Sequence, residues 1–249
     1  MNARPLLPWR GGLLLAAAVA VAVPIAAIWL GDDDGDPSLL VLAPSSLAPI
    51  EDDLDAALSA AGIGPIEWVF AGSQSIVAQV ADGVPADVVL VADTVAHDAV
   101  IAADDRYDRG VAFATNHLVL AVAPDNPGRV DDVSALADPA ALIGVCAPEV
   151  PCGRLAAAAT DALGVGVRPD TEETSARALT TKLSTGELDA GLVYRTDAQA
   201  ANLATIPVEG LDRFTNTYWG TANDRGTAVL DLLTTDAIAA VLDAAGFAT

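Results

Sequence analysis

Beyond residue 38 the chain alternates short apolar runs with stretches whose apolar positions recur every three or four residues. The first run, LLVLAP (39–44), reads as a buried strand. The stretch after it, APIEDDLDAALSAAG, sets Ile50, Leu54 and Leu58 on one helix face. IEWVFAG (66–72) predicts a second strand and SQSIVAQVADG a second helix, and PADVVLVAD (85–93) with TVAHDAVIAADD repeats the pair. Alternation of this kind predicts an α/β fold with a mainly parallel sheet.

The pattern then restarts. HLVLAVAP (117–124) is a strand closed by the turn signal PDNPG, and ALIGVCAP (141–148) is another, followed by a helix over GRLAAAATDALG. A helix over ETSARALTTKLSTG leads into the strand ELDAGLVY, then into TDAQAANLA and TIPVEG. The last stretch, GTAVLDLLTTDAIAAVLDAAGF, is helical and is expected to pack back on the first half. The whole reads as two α/β lobes joined by two crossings, one near Asn116 and one within 215–222. Residues 38–115 with 222–249 form the first lobe and residues 116–221 the second.

Upstream, residues 11–30 (GGLLLAAAVAVAVPIAAIWL) carry no charge and follow a short n-region, 1–10, that holds Arg4 and Arg10. About 20 apolar residues span a bilayer as a helix, and the arginines mark the cytoplasmic side. No small-x-small site falls cleanly at the end of the run, so a retained anchor is expected rather than a cleaved signal peptide. An acidic linker, 31–37, joins it to an extracytoplasmic body. Thiols oxidise there, so Cys146 and Cys152, the only two cysteines, are expected to pair. A zinc site is the rival, and a poor one, since the only histidines are the distant His97 and His117.

Arg4 and Arg10 are the only charges before Asp32, so the rest of the chain carries ten cations against 34 anions. Such a body is a poor partner for nucleic acid. Its acidity reads as a solvated surface and says little about a ligand.

Ligands in open α/β sheets bind beyond the carboxyl ends of the strands. Those junctions hold Ser45 and Ser46 after the first strand, Ser73 after the second, and Cys152 and Gly153 behind Pro151. They also hold Ser175 at a helix start and Tyr194 at a strand end. They supply hydroxyls and free N–H groups at helix starts, which together bind anions. The rival reading makes each serine an ordinary N-cap. Catalytic motifs are lacking: no G-x-S-x-G elbow, no P-loop and no H-E-x-x-H. His97 is expected on a helix surface, His117 in a structural place at a strand start, and no enzyme is expected.

The stretches APSSL (43–47), FAGSQSIVAQVADGVPADVVLVAD (70–93), NHLVLAVAPDNP (116–127), PEVPCGRLA (148–156), GELDAGLVYRTDA (186–198) and the terminal AGF resemble the molybdate-binding subunit of molybdate ABC importers. That family consists of type II periplasmic binding proteins, and the resemblance covers nearly all of the body. It implies a Venus-flytrap fold that closes on molybdate or tungstate, with neutral donors from Ser46, Ser73, Cys152, Ser175 and Tyr194. Ser45 is a further candidate contact. It implies a membrane permease as partner, a monomer, no cofactor, and a metal bound only as its oxyanion.

Three positions depart from the family. Cys152 stands where many relatives have alanine and Ser175 where valine is common, so backbone contacts are expected at both. Pro44 replaces a small residue. The expected bridge would then brace the anion-binding loop. The alternatives are sulfate, thiosulfate or an organic carboxylate held by Arg154, Arg177 or Arg195, and a hydrolase using Ser45 or Ser46 with His97 or His117.

Overall fold

The computed structural model describes residues 38–249. The expected n-region, anchor and linker lie outside the described residues. Among the described residues, no helix is long and apolar enough to cross a membrane.

The first half begins with β1 (Leu39–Pro44), a short 3-10 helix (Ser45–Ile50) and α1 (Glu51–Ala60). Leu54 and Leu58 of α1 are buried, and Glu51, Asp52 and Asp53 sit in its first turn, where the helix dipole favours negative charge. Next come β2 (Ile66–Ala71), α2 (Ser73–Ala81), β3 (Val88–Val91) and α3 (Thr94–Ala103). The apolar run VVLV of β3 is buried along its whole length, as an interior strand covered on both faces must be.

A long strand, β4 (Gly110–Val122), leads to β5 (Ile143–Cys146), α4 (Pro151–Leu163), β6 (Thr171–Glu173) and α5 (Ala176–Ser184). Pro151 suits the first position of α4, where no N–H is needed, and Gly164 ends that helix at φ +67°. Then follow β7 (Ala190–Tyr194), α6 (Arg195–Ala200), β8 (Ala204–Ile206) and β9 (Thr215–Ala222). Two helices, α7 (Thr227–Leu232) and α8 (Asp236–Ala244), close the chain.

The strands lie in the order β2-β1-β3-β9-β4-β7-β5-β6, with β8 paired to β4. The sheet is mixed, which corrects the expectation of a mainly parallel one. Strands β1 with β2 and β3, and β5 with β6 and β7, pair in parallel. Strand β9 runs antiparallel to β3 and β4, and β4 runs antiparallel to β7 and β8. The physical reason lies in β4 and β9, which pass between the halves instead of returning through a crossover helix. Gly110–His117 of β4 pairs with β9, and Leu118–Val122 with β7.

One apolar cluster gathers Leu118, Leu136, Ile143, Leu179 and Leu192 in the second half. Another joins Val41, Leu54, Leu58 and Tyr218 to Val229, Leu230, Ile238, Leu242 and Phe247, so the terminal helices do return to the first half. A third packs α2 and α3 beneath Leu42, Val89 and Tyr107. His97 is not the surface residue expected of its helix: its ring stacks on Trp219 at 4.7 Å. A Cβ at Gly110 would lie 2.1 Å from His97 Nε2, so any side chain there would have to displace the ring from its place on Trp219.

Candidate functional site

Ser45, Ser46, Ser73, Cys152 and Tyr194 line one small cavity of about 10 Å³, together with Pro44, Gly72 and Ala176. The elements that carry them explain the convergence. Ser46 follows β1, Ser73 follows β2 and Tyr194 ends β7, all at carboxyl ends of strands. Helices α2, α4 and α5 all begin at the cavity. In α4 the Arg154 N–H bonds to the Val150 carbonyl. The Cys152 and Gly153 N–H groups precede it in the first turn and so have no helical acceptor. The same holds for Ser73 and Gln74 in α2, where the Ser75 and Ile76 N–H groups are the ones bonded to the Gly72 carbonyl.

The hydroxyls of Ser46, Ser73 and Tyr194 are each held by a second group. Ser46 Oγ and Tyr218 Oη share a hydrogen bond of 2.8 Å. The Ala92 N–H donates to Ser73 Oγ at 3.1 Å. Asn216 Nδ2 donates to Tyr194 Oη at 2.6 Å. Ser46, Ser73 and Tyr194 are all buried, with at most 3 % exposure. Burial pushes the Tyr194 and Tyr218 phenols well above the ordinary range, so both keep their protons.

The N-capping rival fails at the first two serines. Neither the 3-10 helix nor α2 has a side-chain cap; their capping residues are Pro44 and Gly72. Ser175 does cap, its Oγ accepting the Ala178 N–H at 3.1 Å, and it stays off the cavity wall. Its extended backbone puts the first turn of α5 one residue later, so Ala176 lines the cavity in its place.

Cys146 at the end of β5 and Cys152 in the first turn of α4 form a disulfide, with both residues buried. The turn they enclose is close-packed: a Cβ on Gly153 would stand 1.9 Å from the Ala147 carbonyl oxygen.

None of the residues lining the cavity is charged. Arg154 turns aside to Asp93, with Nε and Nη2 at 2.9 and 2.5 Å from one carboxylate oxygen. Neither histidine lines the cavity: His97 packs on Trp219, and burial and the Arg195 cation hold the His117 imidazole below its ordinary range. Among the described residues no cluster of three His, Cys, Asp or Glu could hold a metal ion.

Sequence reasoning missed the supporting groups. Asn216 and Tyr218 alternate along β9, Ala92 gives only a backbone N–H, and Gln74 donates to the Thr174 carbonyl at 2.6 Å from the other half. It also missed Asp197, a buried carboxyl with one unpartnered oxygen. Burial raises Asp197 to about 7, against a smaller opposing pull from Arg177. The polar run TNTY (215–218) was the signal that pointed to Asn216 and Tyr218.

A family model described as bacterial extracellular solute-binding protein matches residues 39–248. The molybdate-binding protein ModA of Mycobacterium tuberculosis is 32% identical over 169 residues, or 68% of this chain and 65% of that relative. The match therefore spans just under two thirds of the relative's length. The periplasmic molybdate-binding protein of Azotobacter vinelandii superposes with a TM-score of 0.71 at 17% identity, covering 85% of this chain and 99% of that one. The sulfate-binding protein SubI of M. tuberculosis does so with a TM-score of 0.66 at 18% identity, covering 85% and 86%. These likenesses show an α/β fold of the periplasmic-binding-protein kind.

Proposed function

Because the chain belongs to the bacterial extracellular solute-binding protein family, we propose that it captures molybdate, and tungstate with it, and hands the anion to an ABC permease for import. The observation that carries this reading is the donor set. Ser46, Ser73 and Tyr194 converge with the start of α4 on an uncharged cavity, each hydroxyl engaged from behind by another group.

Such a site suits an oxyanion that has no proton. Every oxygen of molybdate accepts, and the free N–H groups and partial positive charge of the helix starts meet it. Hydrogen phosphate would bring an O–H, and no carboxylate or amide side chain lines the cavity to accept it; an unmet buried donor costs about 1–3 kcal/mol. The name of the mycobacterial relative and that of the Azotobacter protein favour molybdate among such anions.

The lining residues come from both halves and most of them are buried, so in the role proposed the halves part to admit the anion and close on it. In the role proposed, β4 and β9 act as the hinge between two lobes. Ser46 and Ser73 bind from one lobe, and Tyr194 with the Cys152 and Ala176 backbone from the other. The protein works outside the cytoplasm, as its family does and as a disulfide permits. An organic carboxylate is a weaker reading, because Arg154 is already engaged by Asp93.

Sulfate is the second reading: it shares the charge and the lack of a proton, and SubI shares the fold. Calorimetric titration with molybdate, tungstate, sulfate and phosphate tests both. Tight one-to-one binding of the first two alone supports the proposal. Binding of sulfate alone moves the protein to the second reading, and silence from all four overturns the oxyanion site.

A further inference from the structure

Strand β9 turns two alternate residues, Asn216 and Tyr218, to the same side, because side chains along a strand repeat every second residue. Asn216 is the more informative. Its side-chain nitrogen lies 2.6 Å from Tyr194 Oη and 3.2 Å from the Pro151 carbonyl oxygen. A backbone carbonyl accepts and never donates, so the atom facing Pro151 has to be the amide NH2. One amide proton goes to Pro151 and the other to Tyr194. The Tyr194 oxygen thus accepts from behind, and its own proton must leave in another direction. Tyr194 lines the cavity, and its buried phenol keeps that proton.

Resting on the oxyanion reading above, we propose that Asn216 is a positioning residue that aims the Tyr194 hydroxyl and so makes the site select anions that carry no proton. An acceptor at position 216 would draw the Tyr194 proton backward and turn a lone pair toward the cleft. That lone pair repels an unprotonated oxyanion and accepts the O–H of hydrogen phosphate. The Ala92 N–H does the equivalent for Ser73, since it too can only donate. Asn216 has a second effect. Through Pro151 it ties the tyrosine to the first turn of α4, where Cys152 offers its N–H.

The test is a double-mutant cycle on the full chain, read by calorimetric titration with molybdate. Asn216→Ala weakens binding about tenfold in the wild-type background. In the Tyr194→Phe background, where no hydroxyl remains to be aimed, the same change costs about threefold at most. Equal losses in the two backgrounds would make Asn216 a purely structural residue and overturn the proposal. No molybdate binding by the unmutated protein would instead overturn the oxyanion reading beneath it. Should thermal unfolding show that Asn216→Ala does not fold, Asn216→Val takes its place in the cycle and the same two outcomes decide.

Discussion

Arg154, in the first turn of α4, grips Asp93, the residue that caps α3 on the opposite half of the molecule. Two guanidinium nitrogens reach one carboxylate oxygen, and a third donates to the Glu149 carbonyl within the disulfide loop. The pair therefore fastens the two halves next to the cavity without entering it.

If this pair holds the closed form, Arg154→Gln should raise the off-rate of the bound anion and leave the on-rate nearly unchanged. Partly exposed pairs of this kind contribute up to about 1 kcal/mol, so an acceleration of about two- to fivefold is expected. Stopped-flow release of molybdate measures it. The wild-type off-rate should also rise with salt more than that of the variant.

Gly72 faces the Thr174 carbonyl across the cleft, and a Cβ on it would lie 2.6 Å from that oxygen. Its backbone is ordinary, at φ −67°, and the first-half atoms a Cβ would crowd are the amide end of the Gln74 side chain, at 2.6 and 2.7 Å, which can swing aside. Gly72→Ala is therefore expected to fold with unchanged thermal stability but to resist closure. Molybdate affinity should drop about tenfold, on the scale of an overpacked contact. Small-angle scattering with saturating molybdate should show a more open variant, and a fully compact one would count against the role given to Gly72.

The Cys146–Cys152 bridge holds the start of α4 against the end of β5. In the role proposed, pre-ordering that loop would lower the entropy lost when its N–H groups meet an anion. Reduction, or Cys146→Ser with Cys152→Ser, should weaken molybdate binding and lower stability by about 2 kcal/mol. Calorimetry and chemical denaturation read the two effects separately, and unchanged affinity would show that the brace is unconnected to the site.

Asp197 should set a pH dependence of its own. Burial raises its carboxyl to about 7 in the folded protein, against about 3.9 when unfolded. The folded state thus holds a proton that the unfolded state has released, and the contribution is fully present below about pH 4. It is lost progressively as pH rises to about 7 and stays lost above. Asp197→Asn should abolish this component, and the variant should melt higher than the parent at pH 8. Melting temperatures at pH 5 and pH 8 for both proteins give the comparison.

Much of the fold was legible along the chain. Strand β1 coincides with its apolar run, and helices α1 to α3 follow the periodic spacing of Ile50, Leu54 and Leu58, of Ile76 and Val80, and of Ala96 and Val100. Local pattern reports such elements because each must bury one face. The mixed sheet was not legible. Direction in β4 and β9 depends on which distant strands they meet, and a strand reads the same whichever way its neighbour runs.

The sequence by itself determined where hydroxyls and helix starts fall, and a resemblance in the order of its motifs gave them a common purpose. Serines after strands and a tyrosine at a strand end are local facts, fixed by turn and cap chemistry. Only the tertiary structure decided what stands behind each of Tyr194, Ser46 and Ser73. Those groups are Asn216, Tyr218 and Ala92, which lie 22, 172 and 19 positions from the hydroxyls they hold. It also decided that Ala176 replaces Ser175 at the wall and that Arg154 spends its charge on Asp93. Hydrogen-bond direction is settled by the partners that packing brings within 3 Å, and no spacing along the chain encodes that meeting.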